Sequence, residues 1–163
     1  MKIRTDFVTN SSSSSFILGF KSAEHIEETL RNEICKNGSG CEQYFECVYH
    51  DCIAAETMNK EEMIEYVIDT EIKGEIEIDL WDTWISENAG YKFFEDYKKS
   101  DEYKKIEYKK LQEERKKLDF DCGNNNVFVE IKYGDHDSLW LGNALEHEIV
   151  PNLDCCIRWF SHH

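Results

Sequence analysis

The spacing of apolar residues changes from one segment of this chain to another, and this change constrains the fold more than any other feature. Ile26, Leu30 and Ile34 recur every four positions, which is typical of one face of a helix. In 127–133, apolar residues occupy alternate positions, which predicts a strand. We therefore expect a single α+β domain over 1–163: a small mixed or antiparallel sheet with helices packed on it.

Cap and turn signals predict further elements. Asn59 followed by Glu62 is typical of a capping box and predicts the start of a helix. Ser22 is suited to cap the first helix, and Pro151 to close the last one. Other strands are expected at 16–20, 45–50, 75–80 and 157–160, and other helices at 59–68 and 139–150.

Segment 91–118 is rich in charge and poor in apolar residues. It holds ten basic and seven acidic residues, for a net charge of +3. Because its apolar stripe is thin, we expect a protruding charged helix or helical hairpin, inserted at about 91–118. Ser100 could restart a helix, so one helix and two helices both fit. Such an arm could also join copies of the chain, which makes an assembly component a third hypothesis.

The negative charge of the chain is concentrated in its middle. The net charge is -15, and residues 42–90 contribute -12 through 14 acidic and two basic residues. Such a chain repels phosphates, so direct nucleic-acid binding is disfavoured, whereas basic protein partners are attracted. This hypothesis assumes that 42–90 forms an acidic surface that the lysines of 91–118 leave unneutralised. Acidity that only keeps the chain soluble is the alternative.

Two tryptophans border the predicted acidic strand. Trp81 continues the alternation on the outward side, and an exposed aromatic among carboxylates is a good anchor for a basic partner. We therefore predict a small acidic binding protein that occupies a basic, nucleic-acid-binding-type surface of a protein partner and inhibits it. The predicted partner-binding residues are Glu75, Glu77, Asp79, Trp81, Asp82 and Trp84.

Histidines and acids cluster near the end of the chain, and these are ligands that Zn, Mn or Fe(II) prefer. If the segments converge, the ligands are predicted to be Asp135, His136, His147 and His162. Glu148 would then act as the general base on a metal-bound water. The alternative function is therefore a metal-dependent hydrolase with Zn or another divalent metal. The spacing matches no known metal signature, and ordinary surface residues remain the competing interpretation.

The chain has seven cysteines, and no Cys-x-x-Cys occurs among them. Zinc modules usually present close cysteine pairs, so buried or free thiols are favoured over a zinc site in 35–52. No secretion-type or membrane-spanning apolar run is seen, which predicts reduced thiols and a cytoplasmic location. The serines of 11–15 lack the flanking glycines of a nucleophile turn, so we expect a solvated lead-in to the first strand.

The two ends of the chain carry a resemblance. Residues 7–16, Phe-Val-Thr-Asn-Ser-Ser-Ser-Ser-Ser-Phe, resemble the opening of an uncharacterised family of small bacterial and phage proteins. The sequence Leu-Glu-His-Glu at 145–148 and Phe-Ser-His-His at 160–163 resemble the close of one clostridial-type group among them. The resemblance covers about a quarter of the chain and implies a bacterial or mobile-element origin. Small acidic phage proteins are often inhibitors of host machinery, including anti-defence inhibitors, but the resemblance implies no reaction.

Overall fold

The computed structural model describes residues 13–36, 41–87, 90–134 and 140–162. The contacts within the chain divide it into two compact units. The first combines Met1–Thr57 with Asn126–His163, and the second is the contiguous stretch Met58–Asn125. The first contains the sheet, and the second is helical almost throughout. The expected α+β class is confirmed.

The sheet of the first unit has four strands in the order β2-β3-β1-β4. These are β1 (Ser13–Phe20), β2 (Thr57–Met58), β3 (Val127–Gly134) and β4 (Cys156–His162). Strand β1 is antiparallel to both β3 and β4, so Ser13 lies opposite Gly134 on one side and His162 on the other. The predicted strands at 16–20, 127–133 and 157–160 are therefore confirmed.

The helices of the first unit cover one face of the sheet. They are α1 (Ile26–Ile34, after a 3-10 turn at Ala23–His25), α2 (Glu42–Ala54) and α7 (Trp140–Ala144). A π-helical turn (Leu145–Ile149) and a 3-10 turn (Val150–Asn152) continue α7. The core joins Phe16 and Leu18 of β1 to Leu30 of α1, Phe45 of α2 and Leu145.

The strand predicted at 45–50 is wrong, because these residues belong to α2. Phe45, Val48 and Cys52 are buried at spacings of three and four, which is one helical face. The apolar residues at 45–50 are a fragment of that longer helical pattern.

The second unit consists of helices α3 (Lys60–Val67), α4 (Lys73–Glu87), α5 (Phe94–Lys98) and α6 (Asp101–Cys122), with a π-helical turn (Ile68–Ile72) joining α3 to α4. The strand predicted at 75–80 is wrong, since this segment lies in α4. The buried residues Ile68, Ile72, Ile76 and Leu80 repeat every four positions. Ile78, which completed the apparent alternation, is exposed.

The helix starts in this unit follow the sequence. The Asn59 side chain accepts a hydrogen bond from the Glu62 backbone, and the Glu62 carboxylate accepts one from the Asn59 backbone, which confirms the capping box. Ser100 caps α6 by accepting from the Tyr103 N–H at 3.1 Å, so segment 91–118 holds two helices. Most of α6 is exposed, and Tyr103, Leu118 and Cys122 are its buried residues. None of the described helices is long and apolar enough to cross a membrane.

Candidate functional site

The outer face of α4 carries large apolar side chains that other elements leave uncovered. Ile78 is 65% exposed, Trp81 44% and Ile85 59%. Their spacings of three and four place them on one side of the helix, and we call these three residues the Trp81 face. The opposite side buries Ile76 and Leu80. One apolar side of α4 therefore packs in the core of its unit, and the second apolar side is left exposed to solvent.

Trp81 is held in place by an aromatic cluster at the edge of this face. Its ring lies 4.7 Å from the buried Phe94 ring in an edge-on arrangement and 5.4 Å from the Trp84 ring. A groove of about 340 Å³ beside Trp81 is lined by Gly74, Glu77, Ile78, Trp81 and Phe94. Because the cluster already fixes the indole in the free chain, little side-chain conformational entropy of Trp81 would be lost on binding.

Trp84 has a different position from Trp81, although the sequence assigned both to partner binding. It is half-buried, and its Nε1–H donates a 3.2 Å hydrogen bond to the carbonyl oxygen of Tyr91. Trp84 therefore fastens the end of α4 to the segment that leads into α5. Its ring supports Trp81 from inside the cluster.

The predicted acidic surface is partly neutralised, which corrects the electrostatic premise drawn from the sequence. Lys98 Nζ lies 2.7 Å from Glu77 Oε1, and Lys110 Nζ lies 3.2 Å from Asp79 Oδ2. The hydrogen bond to Glu77 raises the pKa of Lys98. Both lysines come from segment 91–118, so its basic residues pair with the carboxylates of α4. The sequence could not show this, because the two segments meet only in the folded unit.

Arg115 of α6 extends this pairing to α3. Its guanidinium lies 3.0 Å from Glu61 Oε1 and also contacts the Glu65 carboxylate. The hydrogen bond to Glu65 is the main reason that the pKa of Arg115 is raised. Basic residues of α5 and α6 therefore pair with two carboxylates of α3 and two of α4.

Glu75 and Asp82 are the other two predicted partner-binding acids of α4. Asp82 lies four positions after Ile78 and so on the same side of the helix, whereas Glu75 lines a pocket with Ile76 and Lys110 on the flank of α4. Both acidic side chains are exposed. Of the six predicted partner-binding residues, only Trp81 belongs to the Trp81 face. Asp82 is an exposed acid near it, and Glu77 and Asp79 are ion-paired.

Two segments of the predicted metal cluster lie at the same end of the sheet. Ser13 of β1 pairs with Gly134 on one side and with His162 on the other, so the strand end that precedes Asp135 and the one that contains His162 are separated by β1. Asp135 and His136 lie outside the described residues, as does the side chain of His162.

The predicted cluster omitted Glu146, the buried carboxylate at this end of the sheet. Its side chain is fully buried, and Oε1 accepts a 2.6 Å hydrogen bond from the Ser14 hydroxyl. Oε2 has no hydrogen-bond partner within the described structure, and His147 Nε2 lies 3.7 Å from it. Glu148, the predicted base, is exposed. The sequence predicted a helix at 139–150 but gave no sign that Glu146 points inward.

The end of the serine run is buried, although the sequence predicted a solvated segment there. Ser13 begins β1, and Ser14 and Ser15 are 1% exposed, so this end of the run is buried strand rather than a solvated lead-in. A serine in a buried strand needs a hydrogen-bond partner, and Glu146 supplies one for Ser14.

Cysteines in the structure divide into a pair and isolated thiols. Cys35 and Cys41 form a disulfide with a Cα–Cα separation of 5.2 Å, which corrects the expectation of reduced thiols for this pair. Burial raises the pKa of Cys52 to about 12 and that of Cys156 to about 11. These thiols are poor nucleophiles near neutral pH, because the reactive thiolate is scarce.

Comparison with known proteins adds no relative: no family model, no curated protein and no solved structure matches the chain. The resemblance of the two chain ends to bacterial and phage proteins therefore stays a prediction. The function must be argued from the two sites themselves.

Proposed function

We propose that this chain is a protein-binding module whose Trp81 face docks on a basic protein partner. The observation that carries this proposal is the uncovered apolar stripe of α4, with Ile78, Trp81 and Ile85 exposed on one side. Large exposed apolar patches on soluble units mark interaction surfaces more often than chance. Tryptophan is enriched among the residues that dominate binding energy.

The apolar stripe, rather than the full set of carboxylates, supplies the affinity. Burying a side chain of this size contributes about 1.5–3 kcal/mol before the costs of association. Ion-paired carboxylates such as Glu77 contribute little, because their lysine partner already neutralises them. Asp82, an exposed carboxylate on the Ile78 side of α4, instead favours a partner with a cation beside an apolar docking segment.

The net charge of -15 adds long-range attraction to a basic partner. A basic groove that normally holds nucleic acid is the partner surface that this charge suits best. By occupying it, the chain would inhibit nucleic-acid binding by its partner. Exposed charges are screened beyond about 8 Å at physiological ionic strength, so the association rate should fall as salt rises.

The test compares proteins captured from cells of the source organism by wild-type chain and by Ile78→Ser/Trp81→Ala. A matched control is Tyr108→Ser, because Tyr108 is an equally exposed aromatic, 65% accessible, on α6 rather than on the Trp81 face. The expected result is one basic protein held by the wild type and the control, and lost with the double variant. Equal capture by the double variant would reject the proposal.

A second candidate, a metal-dependent hydrolase, is supported by one specific observation. Glu146 is a fully buried carboxylate whose Oε2 accepts no hydrogen bond from the described residues, and His147 Nε2 lies 3.7 Å from that oxygen. Two ligand atoms bound to one Zn at 2.0–2.2 Å can be separated by this distance. Under this proposal Asp135, His136 and His162 complete the site, and Glu148 acts as the base.

Metal analysis of tag-free protein tests the second candidate. One tightly held divalent ion per chain, lost in both His147→Ala and His136→Ala, is the expected result. A chain that takes up no metal at this end, or that keeps its ion in both variants, would remove the hydrolase. Glu148→Gln should retain the ion and lose hydrolysis, because it changes the base and leaves the ligands.

A further inference from the structure

Cys35, Cys41 and Glu42 meet where α1 gives way to α2. Cys35 directly follows the last residue of α1, Cys41 directly precedes α2, and Glu42 is the first residue of α2. The two sulfurs and a carboxylate oxygen all lie within 4.8 Å of one another. Across the part of the chain that the structure describes, this is the one cluster of three such groups.

We propose that reduction of the Cys35–Cys41 disulfide creates a binding site for a thiophilic divalent cation such as Zn²⁺. A dithiol reductant transfers two electrons and two protons to the disulfide and is itself oxidised to a disulfide. Zn²⁺ then displaces the two thiol protons and binds both thiolates, with the Glu42 carboxylate as the third ligand. Disulfide and metal site are therefore mutually exclusive states of one pair of cysteines.

The ligand types and spacing suit zinc. Thiolate sulfur binds Zn²⁺ at about 2.3 Å and carboxylate oxygen at about 2.0–2.2 Å, so ligand atoms around one ion lie about 3.5–4 Å apart. The three groups already lie within 4.8 Å of one another. After reduction the two sulfurs are no longer bonded, and small side-chain rotations move them apart to the spacing that the ion requires. Three protein ligands leave the fourth tetrahedral position for water. Cys35 and Cys41 are both part-exposed, so ions and reductants have access.

The neighbouring charges balance the bound ion. Arg31 donates to both Glu42 oxygens at 3.3 and 3.2 Å, and its other nitrogen lies 3.5 Å from Glu27. When the Glu42 carboxylate turns to the metal, Glu27 retains the guanidinium. The two thiolates then match Zn²⁺, and Arg31 lies between the carboxylates of Glu42 and Glu27, so the whole group carries a net charge of -1. Arg31 also lies 4.0 Å over the Phe45 ring, which holds it beside the site.

The experiment is a Zn²⁺ titration of reduced, metal-free full-length chain against a chromophoric chelator. The variants are Cys35→Ser and Glu42→Gln, and the matched control is Cys47→Ser, a free part-exposed thiol in α2. Wild type and control are expected to bind one ion per chain, and the air-oxidised wild type none. Losing a direct ligand should weaken binding by more than the roughly 10- to 100-fold that outer-shell changes cost.

Co²⁺ substitution gives a second readout, because thiolate coordination produces a charge-transfer absorption band that a site without sulfur lacks. Circular dichroism checks that each variant is folded, and Glu42→Gln leaves both thiols intact. The proposal is overturned if reduced wild type binds no ion, if Cys35→Ser or Glu42→Gln binds as tightly as wild type, or if oxidised chain binds equally well.

Discussion

Ser14 Oγ donates a 2.6 Å hydrogen bond to Glu146 Oε1 across a separation of 132 residues. The bond ties the π-helical turn after α7 to the central strand β1, in a place that solvent does not reach. Because both side chains are buried, bulk water cannot take the place of either hydrogen-bond partner if that partner is removed.

Removing the hydroxyl is expected to destabilise the fold. Ser14→Ala leaves Glu146 Oε1 buried without its donor and should lower the free energy of unfolding by about 1–3 kcal/mol. Ser14→Ala/Glu146→Met removes both polar partners and should recover part of that loss. Urea unfolding of the two variants measures the difference. A double variant that is less stable than Ser14→Ala would mean that Glu146 is held by something more than this bond.

The helical assignment of 75–80 can be tested by two alanine substitutions. Ile76 is 5% exposed and Ile78 is 65% exposed, which places them on different sides of α4. Ile76→Ala should therefore cost about 2–5 kcal/mol, and Ile78→Ala no more than about 0.5 kcal/mol. Chemical denaturation measures both. In a strand the two side chains would share one face, so similar losses would favour the strand over the helix.

The capping box at the start of α3 should contribute measurably to stability. Asn59→Ala removes the acceptor for the Glu62 N–H and should cost about 1 kcal/mol. Asn59→Asp keeps an acceptor at the same position and provides the control, which should stay close to wild type. Thermal unfolding followed by circular dichroism compares the three chains. Equal losses in both variants would show that capping is not the cause.

Stability should fall above pH 9.0 because the buried thiol of Cys52 ionises less readily than the unfolded one. Burial raises the pKa of Cys52 from 9.0 to about 12, and Asp51 adds to the shift. The unfolded thiol ionises first, so the contribution of Cys52 is complete below pH 9.0 and is lost progressively up to pH of about 12. Within this window the group lowers the free energy of unfolding by up to about 1.4 kcal/mol per pH unit.

Cys52→Ala separates this thiol from the other groups that titrate at alkaline pH. The variant starts from a lower stability, since it loses buried volume, but its stability should decline less steeply with pH than that of wild type. Urea unfolding at a series of pH values measures the two slopes under reducing conditions. Parallel slopes would show that Cys52 is not buried as described.

Short sequence patterns correctly predicted those helix starts and strands that depend on residues close together in the chain. The capping box at Asn59, the restart at Ser100 and the strand at 127–133 each rest on a backbone preference within a few positions. The assignments at 45–50 and 75–80 were wrong because short windows contain both periods. Only the longer series from Ile68 to Leu80 favours the helix.

The candidate sites were less predictable, because they depend on contacts between distant segments. Trp81 was correctly expected at the surface, although as part of a strand. The pairing of Lys98 with Glu77 was missed, since charge totals do not show which charges meet. The inward direction of Glu146 was missed for a related reason: a π-helical turn changes which residues of a helix face the core.

The order of the strands in the sheet also has a consequence for synthesis of the chain. Strand β1 is synthesised more than 100 residues before both of its partners, β3 and β4. The stretch Met58–Asn125 emerges between them and is contiguous, so it can fold while β1 waits with its backbone unpaired. A nascent chain therefore passes through a period in which an apolar strand, Phe16 to Phe20, is open to chaperones and to neighbouring chains.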